Sequence, residues 1–425
     1  MIYQPRDCRA CGGPLDTLLA LGRLALSTFP APGDPPTDAV PIDFALCRLC
    51  GLVQLRHTVE PDVLYRRQYW YRSGVNEVMQ AELADVVTQA LQQVTINPAR
   101  DVVIDVGAND GTLLACYRDH ATTRTIPRVA FEPADNLQPA LAAHCEWLIP
   151  DYFGWTTLRA PRLDLAGRAK VITTIAMVYG SDDPHVFVSA VNSLLHPDGV
   201  WVVQFQDLWS MVRQTAFDNL CHEHLVYYSL RSFSELLRPH NLKVIDCEIR
   251  DINGGSLRCY VQHGHHREGA RVRRQLDLEA GCDHWSTLER FAWQVGETRR
   301  QIRAALDALH DTGVTVDLYA ASTKANTLLQ YCGIDGALVR QAWERSPEKV
   351  GRTTATGIPI VSEGTGRADP PHTLLVGAWQ FADAFAKREA AYLAAGGSLL
   401  LPLPRVTVVT QGSRGLEAAP MPVVP

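Results

Sequence analysis

No run of about 18 uninterrupted apolar residues occurs in the 425 positions, so the sequence offers no spanning helix. The opening stretch, Met1 to Cys8, has no apolar segment of the secretory kind, and export is not expected. An excess of positive charge is missing as well. Lys and Arg number 40 against 46 Asp and Glu, a net −6, which leaves no basic footprint for nucleic acid and weighs against an anionic membrane surface. Short-period repeats and low-complexity segments are absent. The 11 cysteines are odd in number and scattered, so a disulfide framework is not expected. These exclusions leave a cytoplasmic enzyme as the working class. A length of 425 residues, at roughly 100–200 per domain, implies two or three units.

What is present begins with Cys8, Cys11, Cys47 and Cys50. They form two C-x-x-C-G pairs separated by 35 residues, with Gly12 and Gly51 placed to turn backbone amides toward sulfur. Four thiolates in two knuckles make a closed, structural zinc site with no position open for chemistry. Residues 31–36 between the pairs read as a turn-rich loop. The other reading is four unrelated buried or redox cysteines.

Residues 60–100 read as mostly helical, with Val78, Leu83, Val86, Val87, Leu91 and Val94 on one stripe. Tyr69, Trp70 and Tyr71 beside Arg72 fit either a core cap or a ligand cleft. Next comes a buried strand into a turn, Asp105, Gly107, Asn109 and Gly111, opening a helix. Glu132 ends the following strand. Such a unit binds an adenosine-type cofactor, the acid taking the ribose hydroxyls. A dinucleotide would need G-x-G-x-x-G to seat a pyrophosphate. The turn here is D-x-G-x-N-x-G, and an acid at the strand end suits the ammonium of S-adenosylmethionine. Asp151, after the third strand region, reaches the adenine amino group or is simply exposed to solvent. Further strands are expected at 171–175 and 200–205, with a helix over 187–195. A second α/β unit follows, with a helix near 285–310 and strands at 314–321, 372–376 and 398–401. One helix is expected over 382–395, then a loose tail.

After the 200–205 strand the chain reads Asp218, Asn219, Leu220, Cys221, His222, Glu223, His224. Spacing of i and i+2 does not match the helical metal pair of zinc proteases. Acid–base work is the alternative, since imidazole titrates near neutrality. A polar turn under the sheet is the bland reading, and Cys221 reads as a small buried thiol rather than a nucleophile.

In its ordered blocks the sequence resembles the C-methyltransferases that act on nucleotide-linked 4-keto-deoxysugars. The blocks are the two C-x-x-C-G pairs, Tyr69–Gly74, Asp105–Gly111, Phe217–Asn219, His222–His224 and Tyr227–Leu230. They continue with Asn253–Arg258, Ala321–Thr327 and Thr356–Ile360. The resemblance implies an α/β enzyme of three parts. These are a zinc-binding N-terminal module over 1–65, a central Rossmann-like class I S-adenosylmethionine methyltransferase domain over 66–240, and a C-terminal Rossmann-like sugar-nucleotide domain over 241–410. Residues 411–425 form the tail.

The implied reaction is removal of the C3 proton of a dTDP-4-keto-deoxysugar, with methylation of the resulting enolate, in deoxysugar or antibiotic biosynthesis. His224 is the implied base, and Glu223 orients a histidine or binds a sugar hydroxyl. His222 or Tyr71 is placed to steady the enolate oxygen. Asn219, Tyr71 and Tyr179 are implied on the sugar, and Arg258, Lys324 and Asn326 on the nucleotide diphosphate. The implied partner is this small molecule, with no nucleic acid and no membrane, and a monomer is compatible with it. Two departures stand out. Cys221 replaces a tyrosine common before H-E-H, and Ala176-Met177-Val178-Tyr179-Gly180 replaces an A-H-[IV]-x-D block. Competing readings are an added 4-ketoreductase using NAD(P)H, and a zinc-bearing scaffold without catalysis.

Overall fold

Three larger sheets organise the chain, and one of them takes a strand from two distant regions of sequence. The computed structural model describes residues 3–35, 37–154, 165–412 and 415–421. Pro36 of the expected loop, and residues 413–414 and 422–425 of the expected tail, lie outside them.

The N-terminal sheet is antiparallel, built from Leu15–Ala25, Ala39–Cys47, Val53–Leu55 and Val226–Tyr227. Its middle strand alternates with the pleat. Ile42, Phe44 and Leu46 join the core of the C-terminal unit, with Phe291 and Leu318. Ala45 and Cys47 join the core of the central unit, with Phe205 and Phe233. This small sheet therefore gives one face to each neighbour. Its last strand is supplied by the segment just after His224, with Val226 opposite Gln54 and Tyr227 opposite Val53.

The central sheet runs Leu242–Arg250, Ser256–His263, Leu195–Gln206, Ala169–Ile175, Val102–Val106, Arg128–Phe131, Trp147–Ile149. The last five are parallel and the first two antiparallel. Val102–Val106 is buried along its whole length, as a parallel strand covered on both faces must be. The chain leaves this strand to one side and returns on the other, so a crevice opens at its carboxyl end. The pair Leu242–Arg250 and Ser256–His263 had no counterpart in the sequence reading.

The third sheet repeats this logic. Val316–Tyr319 lies between Ala342–Glu344 and Thr373–Val376, all parallel, and its carboxyl end leads into Ser322, Thr323 and Lys324. Two expectations need correction here. The tail expected over 411–425 is not loose where it is described: Thr407–Gly412 and Gly415–Pro420 form a hairpin on the sheet edge, pinned by Leu399 opposite Val409. The helix expected over 382–395 breaks at Glu389, whose carboxylate accepts from Tyr319 Oη (2.7 Å) and pairs with Arg367.

Residues 60–100 are also less helical than expected. One regular helix, Glu77–Gln93, starts at an Asn76 cap that accepts from Val78 N. A short helical turn, Asp62–Arg66, and an irregular strap over 67–76 precede it. The strap's amides are spent elsewhere, which keeps it out of a helix. Tyr69 N donates to Asn136 Oδ1 (3.0 Å), Ser73 N to Asn109 Oδ1 (2.9 Å) and Gly74 N to Asp110 Oδ2 (2.8 Å).

Candidate active site and zinc module

The two carboxyl-end crevices open on one cavity of about 480 Å³. One wall is the turn after Val102–Val106. Gly107 and Gly111 hold positive φ (72° and 85°), a backbone region glycine enters freely. A Cβ on Gly107 would also lie 3.1 Å from Met177 Cγ. Asn109, at φ 53°, donates its backbone N–H to Glu132 Oε2 (2.8 Å), joining the turn to the next strand end. Glu132 accepts from Ala134 N as well (2.9 Å). Asp105 accepts from Thr173 Oγ1 (2.6 Å) and lines the cavity. Burial raises both carboxyls, Asp105 up to about 7 and Glu132 up to about 7. Two buried acids facing a cavity suit a ligand that brings an ammonium and ribose hydroxyls, so the residues fit S-adenosylmethionine. Asp151 lines the cavity too, but Arg66, at the end of the Asp62–Arg66 turn, holds it at 2.8 Å.

The opposite wall gathers Tyr65, Tyr69, Tyr71, Tyr179, Glu223 and His224, with Lys324 from the C-terminal unit. The Tyr69-Trp70-Tyr71 run divides between the two readings open for it. Tyr69 and Tyr71 line the cleft, while Trp70 packs on Phe29 and under Arg352. His224 Nδ1 sits 3.0 Å from the Asn219 carbonyl, which only accepts, so Nδ1 carries the hydrogen and Nε2 keeps the lone pair. Burial, aided by the charge of Lys324, lowers this imidazole to about 3, and it is neutral at working pH. The Tyr179 ring meets it edge-on, with centroids 4.3 Å apart. Glu223 accepts from Ser27 Oγ (3.2 Å), and burial raises its carboxyl. Lys324 Nζ donates to the Asn253 carbonyl (3.0 Å) beside the buried Asp218.

Four expected site residues are engaged elsewhere. His222 is buried away from the cavity, with Nε2 on the Val40 carbonyl (3.1 Å), so it does not reach an enolate. Arg258 is fully buried and bonds Glu82 (2.6 Å), Asp85 (2.7 Å) and Gln204 (2.8 Å). This is a brace between strands and the Glu77–Gln93 helix, not a phosphate contact. Asn326 ties Thr28 O (3.3 Å) to Ala355 N (3.1 Å) and is absent from the lining. Asn219 is fully buried, and its Nδ2 donates to Ala216 O (3.0 Å), so it serves by presenting its carbonyl to His224. Cys221 lies on the cavity as a buried thiol raised by burial.

Sequence reading missed Tyr65, Gln206, Asn253, Gln380 and Asp182 on the lining. Asp182 links the wall to the cysteine module. It pairs with Arg6 and, at 3.1 Å, with Arg9, which sits between Cys8 and Cys11. Arg9 also donates to the Leu55 carbonyl and to Thr58 Oγ1 (2.6 Å). No local pattern marks such a contact across more than 170 residues.

The four cysteine sulfurs lie within 4.8 Å of one another. Cys8 and Cys50 are 3.5 Å apart, as are Cys11 and Cys47. Tetrahedral zinc with Zn–S near 2.3 Å sets sulfurs about 3.8 Å apart, so the cluster fits the ion. Gly12 N and Gly51 N donate to Cys8 O and Cys47 O (2.8 Å each) and close the two knuckles.

Fold and cavity together define a methyltransferase that uses S-adenosylmethionine and carries a four-cysteine zinc module. Comparison with known proteins agrees along the chain. Residues 8–65 match a family described as "Putative zinc binding domain", 75–246 a methyltransferase domain and 251–404 a C-methyltransferase C-terminal domain. The chain is 28% identical to C-methyltransferase NovU of Streptomyces niveus, over 97% of this chain and 99% of that protein. Among solved structures, a Clostridium acetobutylicum S-adenosylmethionine-dependent methyltransferase is 11% identical, covering 44% of this chain and 92% of its own (TM-score 0.33). The Burkholderia thailandensis 1,6-didemethyltoxoflavin-N1-methyltransferase is 14% identical, covering 45% and 80% (TM-score 0.32). The chain thus carries these three parts in order and is similar along nearly its whole length to an S-adenosylmethionine-dependent C-methyltransferase. No described helix is long and apolar enough to cross a membrane.

Proposed function

We propose that this C-methyltransferase acts on carbon 3 of a dTDP-linked 4-keto-deoxysugar, in cytoplasmic deoxysugar or antibiotic biosynthesis. The observation that carries the reading is His224. Its tautomer is set by Asn219, and it shares one cavity with the Asp105–Gly111 turn and Lys324. A C–H beside a ketone ionises only with electrostatic help, so a positioned base has to work beside donors to the developing enolate oxygen.

S-adenosylmethionine, when bound, supplies an electrophilic methyl group. The chain's own residues do the rest. Asp105 and Glu132 hold the cofactor's ammonium and ribose, while Gly107 and Asn109 shape the turn against it. His224 Nε2 takes the proton, and Glu223 and Tyr71 bind sugar oxygens. Tyr179 fixes the imidazole plane and lends its hydroxyl to the sugar. Lys324 meets negative charge on the nucleotide diphosphate. The strap over 67–76 and the C-terminal unit shield the reacting carbon from water. The zinc module over 1–65 serves the acceptor wall, but the boundary expected at 240/241 moves past His263, because Leu242–Arg250 and Ser256–His263 pair within the central sheet, and the C-terminal unit extends beyond 410 through the hairpin to Pro420.

The test is incubation with a dTDP-4-keto-6-deoxyhexose and methyl-labelled cofactor. The expected product carries one label on carbon 3. In deuterated buffer the same carbon should exchange its hydrogen before transfer. Label on oxygen or nitrogen, or exchange that persists in His224→Gln, would remove the reading.

A further inference from the structure

Histidines concentrate at one corner of the molecule, well outside the methyl-transfer cavity. His263, His265 and His266 crowd the end of the Ser256–His263 strand, and the irregular start of the Leu195–Gln206 strand, 196–199, lies beside them. The antiparallel pairing of Trp201 with Val261 brings the two together, and Gln262 Nε2 donates to the Gly199 carbonyl (3.1 Å) to lock them. Asp198, His265 and His266 each offer a ligand atom there, all within 4.8 Å of one another. The site stands at the amino ends of the parallel strands. The cavity lies at their carboxyl ends, six residues further along Val200–Gln206, or roughly 20 Å.

Three features distinguish this corner from a chance grouping. His266 Nε2 is shielded from water and has no hydrogen-bond partner among the described residues. Leaving such an atom unpaired is costly, and a missing ion is one recognised cause. Asp198 forms no salt bridge among the described residues, and it and His265 remain open to solvent. The ring of His265 lies 4.2 Å from that of His266, so both imidazoles turn toward one small volume. His196 is otherwise engaged, since its Nδ1 accepts from Asp198 N (3.0 Å) and faces Lys170 Nζ (3.3 Å).

We propose that Asp198, His265 and His266 form a second metal site, separate from the four-cysteine cluster. Two imidazoles and a carboxylate select a borderline transition cation such as Zn²⁺, Ni²⁺ or Cu²⁺ over Mg²⁺ or Ca²⁺, which prefer all-oxygen shells. The bound ion would staple the 196–199 end of the Leu195–Gln206 strand to the 263–266 segment, with water completing its shell.

Titration of the zinc-loaded full chain with NiCl₂, followed by calorimetry, tests the site. One Ni²⁺ per chain is expected, with no zinc released to a chromogenic indicator, and Mg²⁺ should give no heat. His266→Ala should weaken binding at least tenfold, and the His265→Ala/His266→Ala pair should abolish it. Because these side chains take no part in the core or cavity, both variants should keep normal cofactor binding and methyl transfer. Nickel uptake unchanged in the double variant, no uptake by the parent chain, or zinc release matching uptake would each overturn the site.

Discussion

The two walls of the cavity are built on opposite plans. The cofactor wall is local. A strand, a turn and the next strand end bring Asp105, Gly107, Asn109 and Glu132 together through backbone geometry and one bond from Asn109 N. The acceptor wall is assembled from the strap, the 179–182 segment, the Cys221–His224 loop and the start of the Thr323–Cys332 helix at Lys324, which come from separate stretches of the chain. Its His224 loop is held by the zinc module, because Val226–Tyr227 completes the module's sheet and Leu55 N donates to the Leu225 carbonyl (2.8 Å). A local wall tolerates disturbance elsewhere in the molecule. An assembled wall depends on every part that frames it.

The sharpest test of this contrast is His224→Gln. Turnover should fall about 10²- to 10⁴-fold, the usual worth of a general base, while S-adenosylhomocysteine affinity stays within twofold by calorimetry. A parallel loss of cofactor affinity would mean the walls are not separable. Zinc extraction, or Cys47→Ser, comes next. Deuterium exchange into the sugar should slow by about 10- to 100-fold, the range for lost outer-shell support, with cofactor binding retained. Equal loss of both would make the module a general stabiliser rather than a frame for the base.

Asp105→Asn works the other wall. Removing one charge-assisted bond should weaken cofactor binding by about 1.5–3 kcal/mol while leaving the acceptor's KM alone. The smallest effect is on pH. Asp105 and Glu132, raised to about 7, lose charge as pH falls through that value. Cofactor affinity should then drop by up to about tenfold per unit below pH 7, and binding should release protons near neutrality. His224, lowered to about 3, adds no acid limb of its own above about pH 4. An acid limb in acceptor binding at saturating cofactor would blur the distinction.

This difference in plan also decides what the sequence made legible. The cysteine knuckles and the cofactor turn each lie within a few consecutive residues, where spacing alone reports geometry. His224 was equally visible inside its block. Arg258 and Asn326 were not, because a polar side chain on a strand or a helix looks the same in sequence whether it faces solvent, phosphate or another part of the protein. Arg258 sits opposite Gln204 and Glu248 in register, a fact that exists only once the strands pair. Likewise His222 and His224 differ by two residues yet face different bodies, one the Val40 carbonyl and the other the cavity. Asp182 and Arg9 meet only after the module docks.

The shared strand Val226–Tyr227 also imposes an order of events on the ribosome. Leu55 emerges about 170 residues before its neighbour in the sheet, or roughly ten to thirty seconds at 5–20 residues per second. During that interval the nascent module shows an unpaired edge, the kind of surface that invites mispairing between chains. Early capture of the metal by the knuckles would hold the edge in shape while it waits. A chain starved of zinc during synthesis should therefore aggregate more than one stripped of it after folding.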